Sequence, residues 1–151
     1  MATGRTVLHA GASLLLLLFL ACSRHGSSSD DLRIHTRDGV VTVRAEVANT
    51  DAEQTRGLSG RSSLGREAGM AFVFDRPVRT AFWMKDTQIP LSIAFWDGNG
   101  RIEAILDMPP CPGDPCPTYR PDQPFIGALE VNAGFFARNG VREGDRIELA
   151  G

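Results

Sequence analysis

The sequence predicts a mainly β domain: a compact antiparallel sandwich or jelly-roll-like fold carrying one or two short helices. Two observations predict it. Apolar and polar residues alternate with period two over most of the chain after residue 31, as expected where successive side chains point to opposite faces of a sheet. Turn-forming residues interrupt these runs roughly every eight to twelve positions, the spacing of an all-β sandwich or barrel and not of βαβ units.

The elements follow in order. "LRIHT" and "VVTVRAEV" flank Arg37-Asp38-Gly39, and Asp-Gly between alternating runs is a strong hairpin signal. Thr50, with Glu53 three residues on, forms a capping box. Gly57 is a natural stop, so "NTDAEQTRGL" holds a short helix. "GMAFVFD", "RTAFWMKD" and "IPLSIAFWD" read as three strands, with turns at Arg76-Pro77 and near Thr87-Gln88. "DGNG" turns into "RIEAILDM", a Pro-rich loop spans 109–124, and "FIGALEV", a short helix or turn at "AGFFARNG" and a last strand "DRIEL" close the chain.

Composition bounds the function. The chain has 151 residues, 42% apolar and 23% charged, with a formal net charge of −2. That is one domain with enough apolar residues for a core. The charges are mixed along the chain, without the Lys/Arg stripe that nucleic acid would need.

The N-terminus reads as a leader over residues 1–21. Arg5 precedes an apolar run from Leu14 to Ala21, too short to span a bilayer, which takes roughly 20 residues. "FLAC" resembles a bacterial lipobox, with Phe19 at its outermost position and Cys22 as the residue to be lipidated. By the same resemblance, Ser23 favours the periplasmic face of the outer membrane. Plain secretion with a free cysteine is the alternative. Residues 22–31 form a polar tether, and the domain is expected over 32–151. Three cysteines are present. With Cys22 lipidated, Cys111 and Cys116 remain, and Pro-Gly-Asp-Pro between them is turn chemistry that allows a disulfide staple in an oxidising compartment. A redox pair prefers tighter spacing at a helix N-terminus, and a metal site would need further ligands.

Catalytic signatures are absent: no H-E-x-x-H, P-loop, G-x-G-x-x-G or nucleophile elbow occurs. His25 falls in the tether, and His35 alternates with Ile34 and faces out. Asp30-Asp31 also fall in the tether. Neither a cofactor nor a metal is implied, and of the carboxylates only Glu46 and Asp86 stand as candidates for chemistry. Interest centres on "AFWMKDTQIPLSIAFWD", residues 81–97. If a hairpin turns near Thr87-Gln88, Trp83 lies opposite Ser92, and Phe82, Met84, Leu91, Ile93 and Phe95 form a core face. Trp83, Lys85, Ser92 and Trp96 then share the other face, where two aromatics and a cation suit stacking on a sugar ring. The alternative is that both tryptophans bury under the Pro-rich loop or the short helix. Arg56 and Arg61 flank the helix end, where cations are favoured, and Arg56 can also grip a carboxylate bidentately.

"EVANTDAEQTRGLSGRSSL", "GMAFVFD", "FWMKDTQIPLSIAFWDGNGRI", "MPPCPGDPCPTY" and "GVREGDRIEL" resemble, in that order, the domain of unknown function 192 family, from about residue 33 onward. The resemblance implies a compact β-rich, jelly-roll-like domain, often exported or membrane-tethered, and no established activity. The family usually reads M-K-N-T and I-P-L-D where this chain has Asp86 and Ser92, so no carboxylate is available at position 92. It singles out Arg56, Trp83, Lys85, Thr87 and Pro90 as positions to test. The resulting expectation is a non-catalytic envelope lipoprotein that binds a small polar, anionic or saccharide ligand or an envelope partner. Candidate contacts are Arg56, Trp83, Lys85, Asp86, Thr87 and Trp96. An enzyme of envelope glycans using Glu46 or Asp86, and a purely structural role, are the competing expectations.

Overall fold

The computed structural model describes Met1 and residues 29–149. The expected leader, the lipidation site Cys22, and His25 lie outside the described residues. β1 (Ser29–Thr36) and β2 (Gly39–Ala48) form the expected hairpin, in which Thr36 pairs with Gly39. β1 begins inside the stretch read as tether. Ser29, Asp30 and Asp31 pair with Glu46, Ala45 and Arg44, and a backbone ladder forms whatever the polarity of its side chains.

α1 (Asp51–Arg56) then carries the chain to β3 (Ala68–Val78), which runs parallel to β2. The sheet is therefore not wholly antiparallel; a helical crossover is what a parallel pair requires. β4 (Phe82–Trp83), β5 (Leu91–Trp96), β6 (Ile102–Met108), β7 (Thr118–Tyr119), β8 (Phe125–Asn132), α2 (Phe135–Arg138) and β9 (Arg146–Leu149) complete the chain. The seven-stranded sheet has the order β6-β5-β8-β3-β2-β1-β9, and β4 and β7 form a small second sheet.

The large sheet curls until its ends meet. Arg101 bridges Arg146, the Ile102 N–H donates to Asp145 O at 2.9 Å, and the Ile147 N–H donates to Gly100 O at 2.7 Å. One core fills the inside of the curl: Leu32, Ile34, Val43, Ala71, Ala94, Leu129 and Val131, with Phe135 and Phe136 of α2. A second core lies on the outer face of β3, β5 and β8, where Met70, Phe72, Leu91, Ile93, Phe95 and Ala128 are covered by Leu58, Met84, Ile89 and Phe125. All six residues of β5 are buried as a result.

That second layer overturns the expected hairpin. Both edges of β5 are taken, by β6 and β8, so residues 79–86 have no ladder position beside it. Only Phe82 and Trp83 of that stretch are extended, and they pair with Tyr119 and Thr118 within the Pro-rich loop. Phe82, Met84, Leu91, Ile93 and Phe95 do share one core, although through layering and not through pairing. Trp83 does not face Ser92: the Ser92 hydroxyl is buried, donates to Asp107 Oδ1 at 2.6 Å and accepts from the Gly134 N–H. Nor does the chain turn at Arg76-Pro77. Both stay in β3, where the pairing with β8 shifts between Val73 and Val78, an irregularity that accommodates a residue without an N–H. The Cys111–Cys116 disulfide is formed.

Candidate functional site

A cleft of about 660 Å³ opens between α1 with its exit turn, the middle of β3, and the segment 80–87. Its helical wall is built by local signals. Thr50 Oγ1 accepts from the Glu53 N–H at 3.3 Å, and Glu53 Oε2 accepts from the Thr50 N–H at 3.2 Å, the reciprocal capping that starts a helix. Gln54 Nε2 donates to Val73 O at 2.9 Å and fixes the helix on the sheet where the β3 ladder becomes irregular. The helix stops at Gly57, whose φ of 48° suits glycine. Leu58 then drops into the outer core.

The opposite wall is held by the same core. Phe82 meets Phe72 edge-on with ring centroids 4.8 Å apart and Phe95 at 5.6 Å, and Met84 and Ile89 are buried. These anchors project Trp83, Lys85 and Asp86 outward. Asp86 takes a positive φ of 55°, and its carbonyl accepts from the Gly60 N–H at 2.9 Å. That bond ties the helix exit to the turn across the cleft. Thr87 is buried and donates through Oγ1 to Lys85 O. Trp83 is 55% exposed, with Lys85 Nζ 5.6 Å above its ring, a cation–π contact.

Arg56, Trp83, Lys85, Asp86 and Thr87 thus line one cleft, although they come from two separate segments. Trp96 does not join them. It is buried in the inner core with its indole against the backbone of Gly127, because alternation from Phe95 sends it through to the far face of β5. The two tryptophans therefore divide: one exposed at the cleft, one buried. The remaining candidate, Pro90, is exposed, and its carbonyl accepts from the Ala133 N–H at 3.0 Å.

The structure separates the two candidate acids. Arg61 donates to both carboxylate oxygens of Glu46. That hydrogen-bonded pair, with the charges of Arg61 and Arg56, holds the Glu46 carboxyl below the usual range against the opposing effect of its partial burial. The bidentate grip that Arg56 could have made is made by Arg61. Asp86 remains on the cleft. Among the described residues, no group of three or more His, Cys, Asp or Glu could hold a metal ion.

The sequence reading overlooked Glu130. It is 5% exposed and lines the cleft from β8. Its neighbours in register are Met70 on β3 and Ile93 on β5, so its row of the sheet is apolar there. Burial pushes its carboxyl up to about 8 from 4.5, because desolvation disfavours the charged form. Among the described residues none donates a hydrogen bond to it or pairs with it, yet no fully enclosed side-chain nitrogen or oxygen is left without a partner. Neither carboxyl oxygen is therefore completely enclosed, and the side chain lines the cleft. The signal in the sequence is a single charge in the otherwise apolar "FIGALEV".

The cleft so assembled has aromatic walls, an uncompensated acid inside, and Arg56 and Lys85 exposed at its mouth. Among the described residues neither cation forms a salt bridge, so both are available to a ligand.

Two solved structures are similar to the chain over most of its length. A protein of unknown function from Novosphingobium aromaticivorans DSM 12444 shares 34% identity at a TM-score of 0.73, covering 78% of this chain and 83% of its own. A putative transcription regulator from Sinorhizobium meliloti 1021 shares 29% identity at a TM-score of 0.74, covering 82% of this chain and 95% of its own. No curated protein matches the chain. Residues 33–149 match the family DUF192, described as Uncharacterized ACR. The chain belongs to the DUF192 family.

Proposed function

We propose that this protein is a binding module of the cell envelope, tethered through a lipid on Cys22 at the periplasmic face of the outer membrane, and that it takes a small polar ligand, anionic or saccharide, in the cleft between α1 and residues 80–87. The observation that carries the binding reading is the convergence of Arg56, Trp83 and Lys85 on one cleft from separate segments. Trp83 stacks on the ligand, Arg56 and Lys85 meet its anionic or hydroxyl groups, and Asp86 and Thr87 shape the turn that presents them. The envelope placement rests on the lipobox resemblance around Cys22.

A second reading, an enzyme of envelope glycans, draws its support from Glu130 and no longer from Glu46, since an acid raised by burial in a cleft is the type that catalysis uses. The name of the Sinorhizobium neighbour suggests nucleic acid, but a net charge of −2 without a basic stripe does not favour it.

The test is a tryptophan-fluorescence titration of the full chain with peptidoglycan fragments, oligosaccharides and small anions, alongside Trp83→Ala and Lys85→Ala. Binding predicts a saturable change in the wild type that vanishes in Trp83→Ala and weakens in Lys85→Ala, with both variants folded. A flat response across the panel would end the binding reading.

A further inference from the structure

We propose that Glu130 is the inner anchor for the ammonium end of a small zwitterionic ligand, whose anionic end meets Arg56 and Lys85 at the mouth of the cleft. The inference rests on reading that cleft as a ligand site and adds the chemical class of the ligand.

The charge layout carries it. The acid lies inside, in β8, with Met70 and Ile93 beside it; the cations are exposed at the mouth. A ligand that satisfies both must run in the opposite sense, cation inward and anion outward. The rings of Phe72, Phe82 and Trp83 line the same cleft, and aromatic faces attract cations. Lys85 already lies 5.6 Å over the Trp83 ring, so one such face holds an ammonium in the free protein.

Among the described residues no group satisfies the acid first. α1 contributes Asp51 and Arg56 to the cleft, and the turn contributes Lys85 and Asp86. In the same row of the sheet beyond Met70 stands Glu46, which Arg61 holds. Among the described residues none of these lies within hydrogen-bond or ion-pair distance of Glu130. The carboxyl is protonated in the free protein at neutral pH, since burial pushes it up to about 8. An entering ammonium therefore displaces one proton from Glu130 to solvent and takes its place. Because only the ionised fraction is competent, affinity should rise about tenfold per pH unit below 8 and level off above it.

The probe is 6-aminohexanoate, compared with 6-acetamidohexanoate, in which the amine carries no charge. An amine of lysine type, near 10.4, stays charged across this range. Titration calorimetry on the full chain at pH 6, 7 and 8.5, in two buffers of different ionisation enthalpy, reads affinity and proton release together on the wild type alone. The expected result is a preference for the amine, about tenfold tighter binding at pH 7 than at pH 6, and close to one proton released at pH 6. Glu130→Gln should lose the preference and the pH dependence. Equal binding of the two probes, or affinity independent of pH, overturns the ammonium anchor. If Trp83 still responds to saccharides or anions in that case, the cleft stands as a binding site and only its ligand class falls. Silence toward both probes and the whole panel removes the binding reading and this inference together.

Discussion

Glu130→Gln should change how the stability of this protein depends on pH. In the unfolded chain the carboxyl titrates near 4.5; in the fold it titrates at about 8. The fold favours the protonated form, so the contribution is intact below 4.5 and is lost progressively as pH rises toward 8. The gap of 3.5 units comes to about 5 kcal/mol at 1.36 kcal/mol per unit. Between pH 5 and pH 9 the wild type should lose about 4 kcal/mol from this group, with most of the change below pH 8. For a domain of this size that is on the order of 15 °C in Tm. Glutamine has nearly the same shape and does not ionise, so it removes the slope; a fixed cost from burying the amide shifts the curve without tilting it. The assay is urea unfolding followed by far-UV circular dichroism at half-unit pH steps, with the two proteins compared at each step. Every other titrating group is common to both and cancels in the difference. A difference that stays constant from pH 5 to pH 9 would refute the argument that Glu130 is protonated in the native cleft.

Glu46→Gln should cost about 1–2 kcal/mol at neutral pH, because the charge-assisted pair with Arg61 is half-buried and partly screened. Since Glu46 titrates below 4.5 in the fold, its contribution is present above that value and fades as pH falls, so wild-type and variant urea midpoints should converge in acid. Midpoints still apart below the folded value would mean the charge is not what stabilises. Gly127→Ala should cost about 1–3 kcal/mol by overpacking, because a Cβ there would overlap the Trp96 indole. Gly98→Ala, which opens onto free space, should stay within about 0.5 kcal/mol; equal effects at the two glycines would contradict the close approach.

The local elements were readable because each rests on a short-range rule. Thr50 and Glu53 declare a helix start, Gly57 its end, and Asp38-Gly39 a hairpin, and all three form as read. The outer layer was not readable in the same way. Residues 79–86 alternate like a strand, but whether a strand finds a partner depends on which edges are already occupied. β5 is claimed by β6 and β8 from later in the chain. That one fact sends Trp83 out to solvent and leaves Trp96 inside, although both sit at equivalent places in the apparent pattern. The cleft was half legible. Arg56, Trp83, Lys85, Asp86 and Thr87 stood out by residue type and by family resemblance, whereas Glu130 looked like any polar residue in an alternating strand. Its meaning comes from the second layer that buries it.

The pairing of β1 with β9 has a consequence for how the molecule comes into being. Leu32 lies opposite Leu149 and Ile34 opposite Ile147, so β1 is completed by a strand far along the chain from it. A nascent chain lacking residues 146–149 would leave β1 with a bare edge and Gly100–Ile102 without the backbone partners that seal the curl. Contacts this distant in sequence also slow folding, because the whole intervening chain must be gathered before they form. The fold is thus closed only once β9 has been made, and a lesion in that four-residue strand should be felt at β1.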